Sequence, residues 1–334
     1  PVGCHAGAYR LSVVLDLIKT GSISLLRGNQ SEIKAIYDAL IRNDKSDNST
    51  TGKGVDGVQV EDSAVIAYRL SRLINCPVVA TGEEDYVSDG TRVFAVPHGH
   101  PIMTAVTGTG CLLGAVLAAF FSAYYPFKNQ MPMAEFIAYV LAYYGLAGER
   151  AVKECGVKPG SFSVAFMDAL YILDDAVLLS KQHIRPIVVP DQLQVYFIAG
   201  TQDVGLNEDQ LLAVVEAACR GGVTCFQFRE KGTGTLEGKQ KLELAQQLKQ
   251  VCAKYNVLYI INDDVNLAIA VHADGVHVGQ EDMRLEEVRN LVGHKVVGIS
   301  IHSVEELHKT DVIYADCVGV GPMYATSSKP DAQV

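Results

Sequence analysis

Thr107-Gly108-Thr109-Gly110-Cys111 stands directly before an apolar run, Leu112-Leu113-Gly114-Ala115. Glycines at this spacing let several backbone N–H groups converge at a helix N-terminus, where the helix dipole also favours negative charge. Such a hole suits a transferring phosphoryl group, and Cys111 at its lip is placed where a thiolate is favoured. A tight turn holding a small buried cysteine would give the same pattern. Upstream, Arg27-Gly28-Asn29-Gln30-Ser31-Glu32 ends an apolar strand. Arg27 is placed to meet nucleotide phosphates, and Glu32 to serve Mg2+ directly or through water. Asn29 and Glu32 also have capping-box spacing, and the two roles are compatible.

A second constellation follows a different strand. Gln227, Arg229 and Lys231 alternate, so their side chains share one face. Two cations and an amide suit a diphosphate leaving group; a solvated strand end with Arg229 paired to Glu230 is the plainer alternative. Asn262-Asp263-Asp264 ends the next strand. Asp264 suits a helix cap, which leaves Asp263 free. Asp282, beyond the Gly275–Val278 strand, supplies a second carboxylate. Two carboxylates at neighbouring strand ends can hold a Mg2+ that also takes phosphate oxygens and water. His277, between two valines, reads as a packed histidine more than a ligand. Ser300, Thr326, Ser328 and Lys329 add hydroxyls and a charge at later strand ends and loops.

The elements needed to position these residues are legible in outline. The 334 residues have room for about two domains. Strands at 22–27 and 77–81 alternate with helices near 30–41, 61–74, 111–125, 133–153 and 164–180, an α/β layer pattern. Residues 43–54 are polar and read as an exposed loop. Residues 184–194 carry two prolines and read as a linker between domains at 1–183 and 195–334. Beyond it, strands near 195–200, 223–228, 257–262, 275–278, 296–301 and 317–320 alternate with helices near 207–220, 237–254, 264–271, 284–291 and 303–309. Repeating βα units with polar strand ends predict a TIM (β/α)8 barrel. Six strands are countable where a barrel needs eight.

Composition narrows the function classes. A net charge of −10 argues against a general nucleic-acid or anionic-membrane surface. Eight cysteines without a CxxC pair fit reduced intracellular thiols in a cytoplasmic protein better than a disulfide framework or zinc site. The uncharged stretch 110–127 opens on a glycine turn and stops at Pro126, so it reads as a buried helix and not a membrane span.

Taken in order, Pro1-Val2-Gly3, Leu26-Arg27-Gly28-Asn29 with Glu32, Thr81-Gly82-Glu83 with Asp89, and Val106-Thr107-Gly108-Thr109-Gly110-Cys111 resemble hydroxyethylthiazole kinase over about residues 1–180. The resemblance implies a ribokinase-like fold that phosphorylates 4-methyl-5-(2-hydroxyethyl)thiazole with ATP and Mg2+. It implies that Arg27 and Thr81 bind ATP, Glu32 serves the metal, Gly108 contacts thiazole and Cys111 acts at the reacting hydroxyl. It also implies a homo-oligomer through this domain. Residues 193–334 resemble thiamine phosphate synthase, which joins hydroxymethylpyrimidine diphosphate to thiazole phosphate and releases pyrophosphate. By that resemblance Gln227, Arg229, Lys231, Asn262, Ser300 and Lys329 bind the pyrimidine diphosphate. Asp263 and Asp282 bind Mg2+, and Thr326 and Ser328 face thiazole phosphate. Ala325 departs from the family, which usually has proline there.

The joint expectation is a bifunctional enzyme of thiamine biosynthesis. The kinase family has an aspartate before Pro-Val-Gly, and the synthase family has glycine-rich loops after its sixth strand. Both domains are therefore expected to be incomplete in residues 1–334, and this stretch alone is expected to lack turnover. Two other readings stand beside it: a kinase joined to a thiazole tautomerase-like barrel, and an inactive ligand-binding protein.

Overall fold

In the computed structural model, residues 3–44, 63–124, 131–172, 183–293 and 295–321 are described. The chain divides into two units, Pro1–Arg185 and Pro186–Val334.

The first unit is layered α/β. Its helices are α1 (Ala8–Lys19), α2 (Gln30–Asp44), α3 (Ser63–Ile74), α4 (Ile102–Ala105), α5 (Thr109–Tyr124), α6 (Met133–Cys155) and α7 (Pro159–Ile172). The strands β1 (Leu26–Asn29), β2 (Val78–Thr81), β3 (Asp85–Ser88) and β4 (Val93–Val96) form one sheet in that order, and β5 (Arg185–Ile187) lies where one unit ends and the other begins. β1 and β2 are parallel, and β3 runs antiparallel to both β2 and β4. The C-terminal ends of β1, β2 and β4 therefore share one edge. Neighbouring residues of β2 serve opposite cores: Val78 and Ala80 pack with Ile33, Ile36 and Leu70, whereas Val79 packs with Phe94, Leu141 and Phe166. A strand covered on both faces must be continuously apolar, as Val78-Val79-Ala80 is.

Close packing puts a sharp limit on α6. A Cβ added at Gly145 would stand 2.6 Å from the carbonyl carbon and oxygen of His98, whereas one at Gly148 would meet Met103 Sδ at 2.6 Å. Backbone cannot yield as a thioether can. Gly145→Ala is expected to cost about 1–3 kcal/mol through overpacking, read as a lower urea midpoint for this unit, with Gly148→Ala clearly milder.

Several expectations need correction. β3 and β4 were not expected; they are four-residue strands joined through Asp89-Gly90-Thr91-Arg92, too short for a clear period. The strand expected at 22–27 is β1 at Leu26–Asn29, where pairing with β2 begins. Part of the expected linker is structured as β5 and a short 3-10 turn, Pro190–Leu193. α2 runs to Asp44, into the expected loop, and the remainder of 43–54 lies outside the described residues. α7 begins at Pro159, earlier than expected, and residues 173–180 lie outside the described residues. The apolar stretch from Gly110 is α5, which sends Leu113 and Leu117 into the core. Among the described residues no helix is long and apolar enough to cross a membrane.

The second unit repeats strand and helix: β6 (Tyr196–Ala199), α8 (Glu208–Arg220), β7 (Cys225–Phe228), α9 (Gly238–Lys254), β8 (Leu258–Asn262), α10 (Val265–Ala270), β9 (Gly275–Val278), α11 (Leu285–Val292), β10 (Val296–Ile301), α12 (Val304–Lys309) and β11 (Cys317–Val320). All described pairings are parallel, and the six strands lie in sequence order. Polar side chains start several helices. Asn207, Asp264 and Ser303 accept the N–H groups of Gln210, Leu267 and Glu306.

One face of this sheet packs Phe226, Tyr259, Ile261, Val276 and Val297 against the helices. The other face is graded along the strands. Its N-terminal half is apolar, with Cys225, Leu258, Ile260 and Val296 joined by Tyr196, Leu193 and Val188. Its C-terminal half carries Gln227, Asn262, His277 and Ser300. That gradient places Gln227, Asn262, His277 and Ser300 at one end of the sheet.

Candidate functional site

In the first unit, Arg27 Nη2 donates to Thr81 Oγ1 at 3.3 Å, and that hydroxyl donates to Gly28 O at 3.2 Å. A Cβ added at Gly110 would lie 3.3 Å from Arg27 Nη2, so the guanidinium rests against the start of α5. Arg27 Nε is buried without a partner among the described residues. Gly108 has φ +98°, a left-handed turn that a glycine makes without strain. It leads into the first turn of α5, whose N–H groups lack intrahelical carbonyls. Thr109 fixes that turn: its hydroxyl donates to Met103 O at 2.7 Å, and its carbonyl accepts from the Tyr144 hydroxyl at 2.5 Å. Cys111 is exposed in the same first turn. Arg27, Thr81 and the 108–111 turn are therefore brought together.

Glu32 is differently placed. It is buried, its Oε1 accepts Gly3 N–H at 2.5 Å, and its Oε2 accepts Asn29 N–H at 2.8 Å. Asn29 Oδ1 in turn accepts Glu32 N–H at 2.8 Å, completing the capping box. With both oxygens already bonded to backbone, the carboxylate suits a water-mediated metal contact better than a direct one. Asp89, quoted with this motif, holds a turn by accepting the N–H groups of Thr91 and Arg92.

Sequence reasoning missed Gln30 and Asp85, which hold the turn after Thr81. Gln30 Nε2 donates to Glu84 O at 3.1 Å, and Asp85 Oδ1 accepts Gly82 N–H at 2.9 Å. Burial pushes the Asp85 carboxyl up to about 7, against the opposing pull of the Gly82 N–H and the Arg27 charge. Its folded value lies above its unfolded one, so the wild type loses stability as pH rises from the ordinary carboxylate range to about 7, then levels off. Asp85→Asn keeps the acceptor for Gly82 without the titration. The melting temperature of the variant relative to wild type is expected to rise across that window and plateau above it. A difference independent of pH would contradict this.

In the second unit the polar strand ends converge. Gln227 is buried, and its Nε2 donates to Asn262 Oδ1 at 2.8 Å. Lys231 Nζ donates to Asp263 Oδ2 at 2.8 Å, a contact that raises the lysine's pKa. Asp282 Oδ2 accepts Gly279 N–H at 2.7 Å. Burial, then hydrogen bonding and repulsion from Asp263, raise the Asp282 carboxyl, with the Gly279 N–H and Lys231 opposing. Two carboxylates thus crowd one another beside a single ammonium, a charge arrangement that a divalent cation would relieve. Asp263 holds φ +61°, a left-handed backbone uncommon outside glycine and found most often for Asn and Asp. Asp264 is the N-cap of α10 and pairs with Lys241 at 2.9 Å. Among the described residues no group of three or more His, Cys, Asp or Glu could hold a metal, so any ion here would take at most this carboxylate pair from them.

The remaining expected residues distribute as follows. Arg229 is half-buried beside Lys231 and forms no ion pair with Glu230. Ser300 Oγ is 2.9 Å from His277 Nε2. Thr326, Ser328 and Lys329 lie outside the described residues. His277, read as packed, is packed against neighbouring strands and stands in the polar row, in register with Asn262 and Gly298. A Cβ at Gly298 would be 2.3 Å from His277 Nδ1, and one at Gly319 would be 3.2 Å from its Cε1. Glycines facing a histidine across two strands were the available signal that the ring needs room on that face.

The comparisons with known proteins divide the chain in the same way. A family model described as the hydroxyethylthiazole kinase family matches residues 1–176, over half of the chain. A model described as thiamine monophosphate synthase matches residues 195–334. The chain is 35% identical over 340 residues to a thiamine biosynthesis bifunctional protein ThiM/ThiE of Symbiobacterium thermophilum, covering 99% of this chain and 66% of that protein. Over 141 residues, 42% of this chain, it is 54% identical to thiamine-phosphate synthase 1 of Streptococcus pneumoniae and 47% identical to thiamine-phosphate synthase of Staphylococcus epidermidis, covering 66% of each. The chain thus spans just under two thirds of these relatives. It belongs to the hydroxyethylthiazole kinase family, with a thiamine monophosphate synthase segment joined behind the kinase segment.

Proposed function

We propose that the protein carries out two consecutive steps of thiamine biosynthesis. The first unit, read as ribokinase-like, phosphorylates the hydroxyethyl group of 4-methyl-5-(2-hydroxyethyl)thiazole with ATP. The second, read as part of a TIM (β/α)8 barrel, joins the thiazole phosphate to hydroxymethylpyrimidine diphosphate and releases pyrophosphate. The product of one step is the acceptor of the next. Support comes above all from the second site, where Arg229, Lys231, Gln227–Asn262 and the Asp263–Asp282 pair gather at successive strand ends.

In the kinase step, Arg27 and Thr81 hold ATP phosphates, and the first turn of α5 stabilises charge on the transferring group. Gly108 contacts thiazole, and Cys111 lies at the reacting hydroxyl. Glu32 reaches the metal through water. In the condensation, Arg229 and Lys231 stabilise the departing diphosphate, with Gln227, Asn262, Ser300 and Lys329 orienting the pyrimidine diphosphate. Thr326 and Ser328 face thiazole phosphate. The carbon–oxygen bond to diphosphate breaks first, and the thiazole nitrogen then attacks the pyrimidine cation, so no general base is required. Asp263 and Asp282 would hold Mg2+, which neutralises leaving-group charge when bound. Self-association through the first unit belongs to the same proposal and is testable by sedimentation.

A coupled assay of the complete protein with thiazole alcohol, ATP, Mg2+ and the pyrimidine diphosphate is expected to yield thiamine phosphate. Correctly folded protein that yields none would overturn the proposal.

A further inference from the structure

The carboxylate between the two cations is the least expected part of the second site. Glu230 follows Arg229 and precedes Lys231, yet its side chain leaves both. Its Oε2 accepts Thr201 N–H at 2.9 Å, and its Oε1 accepts Leu236 N–H at 2.9 Å. Oε1 also accepts the Thr201 hydroxyl. Thr201 is buried, so these bonds are sheltered from water. The same turn grips the neighbouring peptide. Arg229 N–H donates to Ala199 O at 3.0 Å, and Gln202 Nε2 donates to Arg229 O at 2.8 Å. Gly200 allows this approach, because a Cβ there would stand 2.1 Å from Arg229 O.

We infer that Glu230 is a positioning residue for diphosphate recognition, acting through Thr201 and Leu236 and not on the ligand. Three donors hold its carboxylate away from the cations, so Glu230 itself competes with the anion for neither Arg229 nor Lys231. The Leu236 bond closes the loop that follows Lys231, and the Thr201 bonds lock the strand end to the turn after β6. Segment 199–203 thus fixes where Arg229 begins, and Glu230 fixes where Lys231 departs. This inference rests on the diphosphate reading of the site.

The test is titration of inorganic pyrophosphate with Mg2+ into the folded chain, with variants compared by Kd. A carboxylate that merely neutralised its neighbours would give tighter binding when changed to Glu230→Gln, because a negative charge next to the anion is removed. A positioning carboxylate gives the opposite sign: weaker binding by about tenfold, on the scale of a lost charge-assisted hydrogen bond. Thr201→Val, which removes one donor, is expected to weaken binding in the same direction, and Thr201→Ser, which keeps it, to restore it. Should Glu230→Gln fail to fold, the Thr201 pair decides alone. Unchanged or tighter binding in Glu230→Gln, or Thr201→Val equal to Thr201→Ser, would overturn the inference. Arg229→Ala separates the two levels. If it leaves pyrophosphate affinity intact, the diphosphate reading itself fails; if it abolishes binding while Glu230→Gln and Thr201→Val do not weaken it, only the role of Glu230 fails.

Discussion

Asp263→Asn is expected to lower turnover of the condensation by about 10²–10³-fold while leaving the kinase step unchanged. The residue combines three features at one position. Its carboxylate pairs with Lys231 at 2.8 Å, it crowds Asp282, and its backbone holds φ +61°. Strain of that kind is retained where surrounding structure imposes it, commonly at functional positions. Asparagine tolerates the left-handed backbone, so the substitution removes charge with little change of conformation. Lys231 would then keep a neutral acceptor, and Asp282 would lose its repelling neighbour. Steady-state rates of pyrophosphate release, measured beside a thermal melt, check this. A wild-type rate at saturating Mg2+ would remove the carboxylate pair from the mechanism.

Arg27→Met is expected to lower kcat/KM for ATP by about 10²–10³-fold in the kinase step and to spare the condensation. Methionine approximates the stem of arginine without its five donors. The lost contacts are specific, Nη2 on Thr81 and the guanidinium against Gly110, and with them goes a buried Nε that has no partner among the described residues. That N–H is costly to bury unless a ligand meets it, which is why the arginine is read as a phosphate contact and not as a structural brace. Arg27→Lys keeps the charge but not the fork, and is expected to recover only a small part of the activity. Full recovery by lysine would mean that charge alone matters at this position.

Much of the second unit was legible because its strands are apolar runs bounded by turn residues and its helices carry their own caps. Asn207, Asp264 and Ser303 mark helix starts that the sequence announces. The alternation of Gln227, Arg229 and Lys231 predicted a shared face, whereas β7 ends at Phe228 and Arg229 and Lys231 follow it in the loop. What pattern did not convey is cross-chain bonding. Nothing local distinguishes a Glu230 paired with Arg229 from one bonded to Thr201, 29 positions away. The packing of His277 was read correctly, but its polar neighbours were not legible, since its surroundings are set by glycines and Ser300 on neighbouring strands. In the first unit, β3 and β4 are short and both cores are apolar, so periodicity offered little. Glu32 was legible as a cap: the capping box implied by its spacing is formed, and that bonding constrains the metal role proposed for it.

The most direct measurement is thiamine phosphate formation by the complete protein and these two variants, each supplied first with thiazole alcohol plus ATP and then with thiazole phosphate. Pyrimidine diphosphate and Mg2+ are present throughout. The expected result is a crossover: Arg27→Met fails on the alcohol and recovers on the phosphate, whereas Asp263→Asn fails on both. Failure of Arg27→Met to recover with thiazole phosphate, or wild-type product formation by Asp263→Asn, would contradict the assignment of one step to each unit.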